Sequence, residues 1–151
     1  MASKPLILVT GADQGLGYHA IQQLAATGRY HILMGSRDLL KADKTIDLLV
    51  ADQSSPVDKT DLTLIQIDIT DDKSIDAAAT RVERDFGTLD MLLNNAGIAT
   101  AQSASTDQTL RQAYHQQFDT NVVGAEAVTE AFLPLLQKGQ SKSALHLYPQ
   151  V

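Results

Sequence analysis

The chain has 151 residues, 44% hydrophobic and 20% charged, an ordinary globular balance in a length that suits one domain burying about 68 to 70% of its unfolded surface. A formal net charge of -6 and a pI near 5.0 argue against a sequence-independent grip on nucleic-acid phosphates or acidic membranes, both of which need basic surface. Cysteine is absent, which excludes disulfides, thiolate zinc sites and a cysteine nucleophile. The first apolar run, residues 6–9, is too short for a signal segment or a membrane span, so the cytoplasm is the expected location.

Short apolar runs alternate with helical patterns, the sequence form of repeated strand–helix units around a parallel sheet. A buried strand is predicted over 6–10. A helix over 16–27 follows, with Ala20, Ile21, Leu24 and Ala25 inward and Gly28 at its end. Residues 31–36 read as a second strand, 39–51 as a helix, 52–61 with Pro56 as a surface loop, and 62–68 as a third strand. Thr70 is placed to cap a helix whose inward stripe is Ile75, Ala79, Val82 and Phe86, with Asp71 and Asp72 at its positive end and Gly87 as its stop. A fourth strand over 89–94, a small-residue loop over 98–107 and a long helix over 110–138, disturbed at Pro134 and stopped by Gly139, complete the pattern. Residues 140–151 form an atypical tail with room for one short strand, so 1–151 reads as a single domain.

Between the first strand and first helix stands Thr10-Gly11-Ala12-Asp13-Gln14-Gly15-Leu16-Gly17. Glycines there let the backbone turn tightly and approach a pyrophosphate, which the helix N-terminus holds with unpaired N–H groups and a positive dipole. Three glycines in such a turn also suit a tight turn with no ligand. Further along come Asp68-Ile69-Thr70, Asn94-Asn95-Ala96-Gly97 and Asp119-Thr120-Asn121-Val122-Val123-Gly124.

With these four stretches in this order the chain resembles the short-chain dehydrogenase/reductase family over residues 5 to about 137. The resemblance implies a Rossmann-type, doubly wound parallel sheet in a three-layer α/β/α arrangement, strand order 3-2-1-4-5, incomplete on its C-terminal side. It implies that Thr10, Gly11, Gly15, Leu16 and Gly17 cradle the cofactor pyrophosphate, that Asp68 accepts from the adenine amino group beside Ile69, and that Asn95, Ala96 and Gly97 line the ribose. Asp68 also suits a strand-end cap, and Asn94 and Asn95 suit turn formation. The carboxylate that would bind the ribose 2'-hydroxyl of NAD is replaced by Ser36, followed by Arg37, whose planar donors suit a 2'-phosphate. NADP(H) is therefore expected over NAD(H), against the nearby Asp38 and against Asp13-Gln14, which stand where NADP-preferring members often carry a basic residue. Arg37 as a solvated surface charge is the competing view.

Asn121 matches the family's helix asparagine, whose carbonyl helps to hold a water in a proton relay. It is the one member of the catalytic four found here: the serine of the fifth strand and the Tyr-x-x-x-Lys motif have no counterpart, since Tyr148 is followed by Pro149, Gln150 and Val151. The four histidines show no metal-ligand spacing. The resemblance is strongest to small carbonyl reductases of the kind found in fungal secondary metabolism.

Three functions follow as expectations: reduction of a ketone or aldehyde (or oxidation of the alcohol) by a longer enzyme of which this is a truncated form, nucleotide binding without turnover by a pseudoenzyme, or interaction with a full-length relative. The abrupt loss of family pattern after Ser143 favours the first. With the family's neighbouring helix lacking, Val123, Val128, Phe132, Leu135 and Leu136 are expected to face water in part, so that the 110–138 helix would serve a homo- or hetero-oligomer.

Overall fold

Unbroken apolar strands are the mark of a sheet covered on both faces, and β1 (Leu6–Thr10) is buried at every position while β2 (His31–Ser36) is buried at all but its first. The computed structural model describes residues 4–53, 55–99 and 109–146. All five strands are parallel in the order β3-β2-β1-β4-β5, the remaining three being β3 (Leu62–Gln66), β4 (Met91–Asn94) and β5 (Ser143–His146).

Alternate strand residues feed two cores. Ile7, Val9, Ile32 and Met34 pack with Ile21 and Ala25 of α1 (Gly15–Ala26) and with Ile46 and Leu49 of α2 (Leu39–Ala51). Leu6, Leu8, Leu33 and Ile65 pack on the other face with Ile75, Ala78 and Val82 of α3 (Asp72–Phe86). Beside α3 lie Val128, Phe132, Leu135 and Leu136 of α5 (Ala125–Lys138). A buried leucine or isoleucine is worth about 1.5–3 kcal/mol relative to exposure, so these two layers hold the sheet.

Several local expectations are corrected by this packing. The cap of α3 is Asp71, which accepts from the Lys73 amide at 3.0 Å; Thr70 instead donates its hydroxyl to Asp68 at 2.7 Å. The stretch expected to be a surface loop buries Val57 and Asp61 and contains a short 3-10 turn, Lys59–Asp61. Its Asp61 carboxylate is held by the Lys4 ammonium at 2.5 and 2.7 Å. The predicted 98–107 loop lies, from residue 100 on, outside the described residues.

The long helix is interrupted, but not at Pro134, which sits inside α5. The break comes earlier, where α4 (Leu110–Phe118) passes into α5 through a π-helical turn, Asp119–Gly124. That turn resets the helical phase, and Val128, Phe132, Leu135 and Leu136 are buried against the sheet rather than facing water. Val123 is exposed as expected, and the outward apolar residues before it are Leu110, Tyr114, Phe118 and Val122. Among the described residues no helix is long and apolar enough to cross a membrane.

At the amino ends of the strands, Asp90 ties three elements together. Its carboxylate accepts from the Leu6 amide at 2.8 Å and the Gln140 amide at 2.6 Å, and its carbonyl accepts from Ser143 at 3.3 Å. Nearby, His31 contacts the Thr63 hydroxyl at 2.9 Å and the Phe86 ring at 5.5 Å between centroids. Burial holds the His31 imidazole below its ordinary pKa, with Asp61 opposing and Lys4 reinforcing the shift. A depressed histidine pKa gives stability that is complete above the unfolded value of about 6.5 and is lost as pH falls through the folded value. His31→Gln should therefore flatten the decline in melting temperature between pH 7 and 5, and an unchanged decline would assign it to other groups.

Candidate functional site

The carboxyl ends of parallel strands are where an open doubly wound sheet leaves a crevice, at the point where strand order reverses. Here that point lies between β1 and β4, and a cleft of about 510 Å³ opens over it, within the usual range of ligand pockets. Of the residues singled out in the sequence, Gly11, Gly15, Leu16, Ser36, Arg37, Asp68, Ile69, Asn95, Ala96 and Gly97 line it. Thr10 and Gly17 are buried, and neither they nor Asn121 is part of the lining.

Thr10 works behind the cleft. Its hydroxyl oxygen accepts from the backbone amides of Asn95 and Ala96, both at 3.0 Å. The Asn95 side-chain amide donates in return to the carbonyls of Thr10 at 2.9 Å and Gly11 at 3.0 Å. The ends of β1 and β4 are thereby locked in register.

The glycines divide the work of the loop. Gly11 has φ +62°, and a Cβ there would meet Ala96 Cα at 2.8 Å; at Gly17 a Cβ would run into the Gly11 carbonyl and the Asn95 side chain. Both permit close packing of loop, helix and β4. Gly15, at φ +55° with nothing within 4 Å of an added Cβ, faces open space at the start of α1, where amides are free for an anion.

At the far corner of the cleft the Ser36 hydroxyl is closed on its own turn, donating to the Asp38 carbonyl at 3.1 Å and accepting from its amide at 3.2 Å. Arg37 is exposed and makes no ion pair among the described residues. Asp68 accepts from the Thr70 hydroxyl at 2.7 Å and amide at 3.0 Å. Those bonds, with help from the Arg37 charge, hold the Asp68 carboxyl below the usual carboxylate range, so it is ionised at neutral pH.

Sequence reasoning missed Lys41. It stands in the first turn of α2, its ammonium on the Asp13 carboxylate at 2.8 Å and on the Gln14 side-chain oxygen, and it lines the same cleft. Position alone could have suggested it, because the first turn of a helix that follows β2 closely lies at the carboxyl edge of the sheet.

Asn121 is spent on structure. Its Oδ1 accepts from the Ile98 amide and its Nδ2 donates to the Ile98 carbonyl, both at 2.8 Å, pinning the π turn to the segment after β4. Such turns often occur at functional sites. Among the described residues no group of His, Asp or Glu is arranged to hold a metal ion.

Because two half-buried amides depend on one buried hydroxyl, Thr10→Val should cost about 1–3 kcal/mol in chemical denaturation. A loss below about 0.5 kcal/mol would show that the β1–β4 lock is held elsewhere.

This geometry agrees with comparison to known proteins. The family model described as short chain dehydrogenase matches residues 5–144. The short-chain dehydrogenase anuI of Penicillium roqueforti is 47% identical over 135 residues, covering 89% of this chain and 51% of the relative. Menthone neomenthol reductase from Mentha piperita superposes with TM-score 0.76 at 27% identity, over 91% of this chain and 58% of that one. NADPH-bound carbonyl reductase from chicken fatty liver superposes with TM-score 0.70 at 29% identity, over 91% and 50%. The chain spans about half the length of the curated relatives it matches. Glycine loop, strand order, switch-point cleft and family match converge, and the chain belongs to the short-chain dehydrogenase/reductase family of oxidoreductases.

Proposed function

We propose that this chain is the cofactor-binding part of an NADP(H)-dependent oxidoreductase that reduces a ketone or aldehyde, or runs the reverse oxidation of an alcohol. One observation carries the choice of cofactor. Arg37, exposed and without an ion pair among the described residues, lines the cleft where a carboxylate for the NAD ribose would stand, and Ser36 beside it brings no charge. The presence of NADPH in the related carbonyl reductase supports the same choice.

The residues suit the group. The open face at Gly15 and the start of α1 would receive the pyrophosphate, the ionised Asp68 would accept from the adenine amino group, and Arg37 would take the 2'-phosphate. A bound nicotinamide cofactor supplies or accepts hydride. The Tyr-x-x-x-Lys pair of the family's acid chemistry is not among these 151 residues, so this part contributes binding and orientation. Arg37→Ala should weaken NADPH about 10- to 100-fold, as loss of a charge-assisted contact predicts, and NADH less than about threefold. Equal losses by titration calorimetry would refute the phosphate role.

The reading extends to partners. Leu110, Tyr114, Phe118 and Val122 recur every fourth residue through α4 and the π turn, and all are exposed. We infer that this stripe joins a homo- or hetero-oligomer. Tyr114→Lys with Phe118→Lys should lower the molar mass seen by light scattering, whereas an unchanged mass would remove the stripe from any interface.

A further inference from the structure

We propose that Asp13 sets the cofactor selectivity of this cleft by holding Lys41 as its counter-ion, so that a 2'-phosphate must draw the ammonium away from the glycine loop. The proposal rests on the NADP(H) assignment above. Lys41 reaches back from α2 to the loop, where it contacts the Asp13 carboxylate at 2.8 Å and the Gln14 side-chain oxygen. Asp13 is the better buried partner: its side chain is 13% exposed, against 46% for Lys41. Its carbonyl also accepts from the Thr45 hydroxyl at 3.1 Å, which fastens that part of the loop to α2. The carboxylate is thus the fixed member and the lysine the movable one.

Arg37, Lys41, Asp13 and Asp68 all line the cleft. A dianionic phosphate there meets Arg37 outside any ion pair, near only the Thr70-bound Asp68, but Lys41 as half of a neutral pair. Asp13 acts against the phosphate twice, by occupying Lys41 and by carrying a like charge into the same cleft. A ribose with a free 2'-hydroxyl meets neither effect. Asp13 therefore narrows the preference for NADPH over NADH that Arg37 creates. A mere brace for the glycine loop would behave differently, because weakening it would harm both nucleotides alike.

Asp13→Asn preserves shape and leaves an oxygen for Lys41 while removing the charge. By titration calorimetry at low salt it should tighten NADPH about five- to tenfold and change NADH less than about twofold, with the gain shrinking at 0.5 M salt. Lys41→Met should weaken NADPH at least about fivefold and spare NADH. The proposal is overturned if Asp13→Asn weakens both nucleotides, alters both equally or alters neither, or if Lys41→Met leaves NADPH affinity unchanged. Should the parent chain bind NADPH in an Arg37-dependent way while these variants do nothing, only this proposal falls. Should the parent bind neither nucleotide, the proposed function falls and takes this one with it.

Discussion

Two backbone amides, those of Asn95 and Ala96, converge on the single hydroxyl of Thr10, and much of the site depends on that convergence. It joins the ends of two strands far apart in sequence at the point where the order of the sheet reverses. Chain leaving β1 turns one way toward α1, and chain leaving β4 turns the other, so the lock defines both walls of the cleft. Gly11 and Gly17 belong to the same arrangement, since side chains at either would collide with Ala96, Asn95 or the loop itself. The glycine motif is thus as much a packing requirement of the protein as an approach path for a ligand.

Net charge conceals what the cleft contains. The chain is acidic overall, yet Arg37 and Lys41 both face this space, with Asp13 and Asp68 close by. Each acid has a defined task within the fold. Asp68 is fastened to Thr70, and Asp13 to Lys41. Arg37 alone of the four makes neither an ion pair nor a close hydrogen bond among the described residues, which makes it the group on which an incoming phosphate can act at least cost. What the geometry sets is which cations are already occupied, not merely how many there are.

The π turn between α4 and α5 couples the far side of the cleft to the core. One extra residue in a helical turn shifts the phase of everything after it, and here the shift turns Val128, Phe132, Leu135 and Leu136 inward while Phe118 and Val122 stay outside. Asn121 fixes the turn by closing both polar atoms of its amide on Ile98. The same residue therefore helps to decide how a helix packs and where the cleft ends.

Local chemistry was enough to place β1, β2 and α2, because buried strand runs and helix stops act over a few residues: Leu6–Thr10 is uniformly apolar but for its last residue, and Gly28 and Gly87 take up positive φ where the helices end. The order of the sheet, β3-β2-β1-β4-β5, was implied by the family resemblance that the four motifs carry. Competition and distance were not legible. Thr70 and Asp71 are both good caps, and the choice turned on Asp68 claiming the threonine hydroxyl. The apolar residues of 110–138 were visible, but which of them face the sheet depends on the π turn, and that turn is pinned by bonds to Ile98 in the segment after β4. No local pattern marks Lys41, and only folding sets it against Asp13. Sequence by itself determined the strands, the first three helices, the glycine loop and the family, all written in short-range patterns. Tertiary structure alone decided which charges are paired and which remain free to meet a ligand, because pairing requires the sheet to bring α2, the glycine loop and the strand ends within a few ångströms of one another.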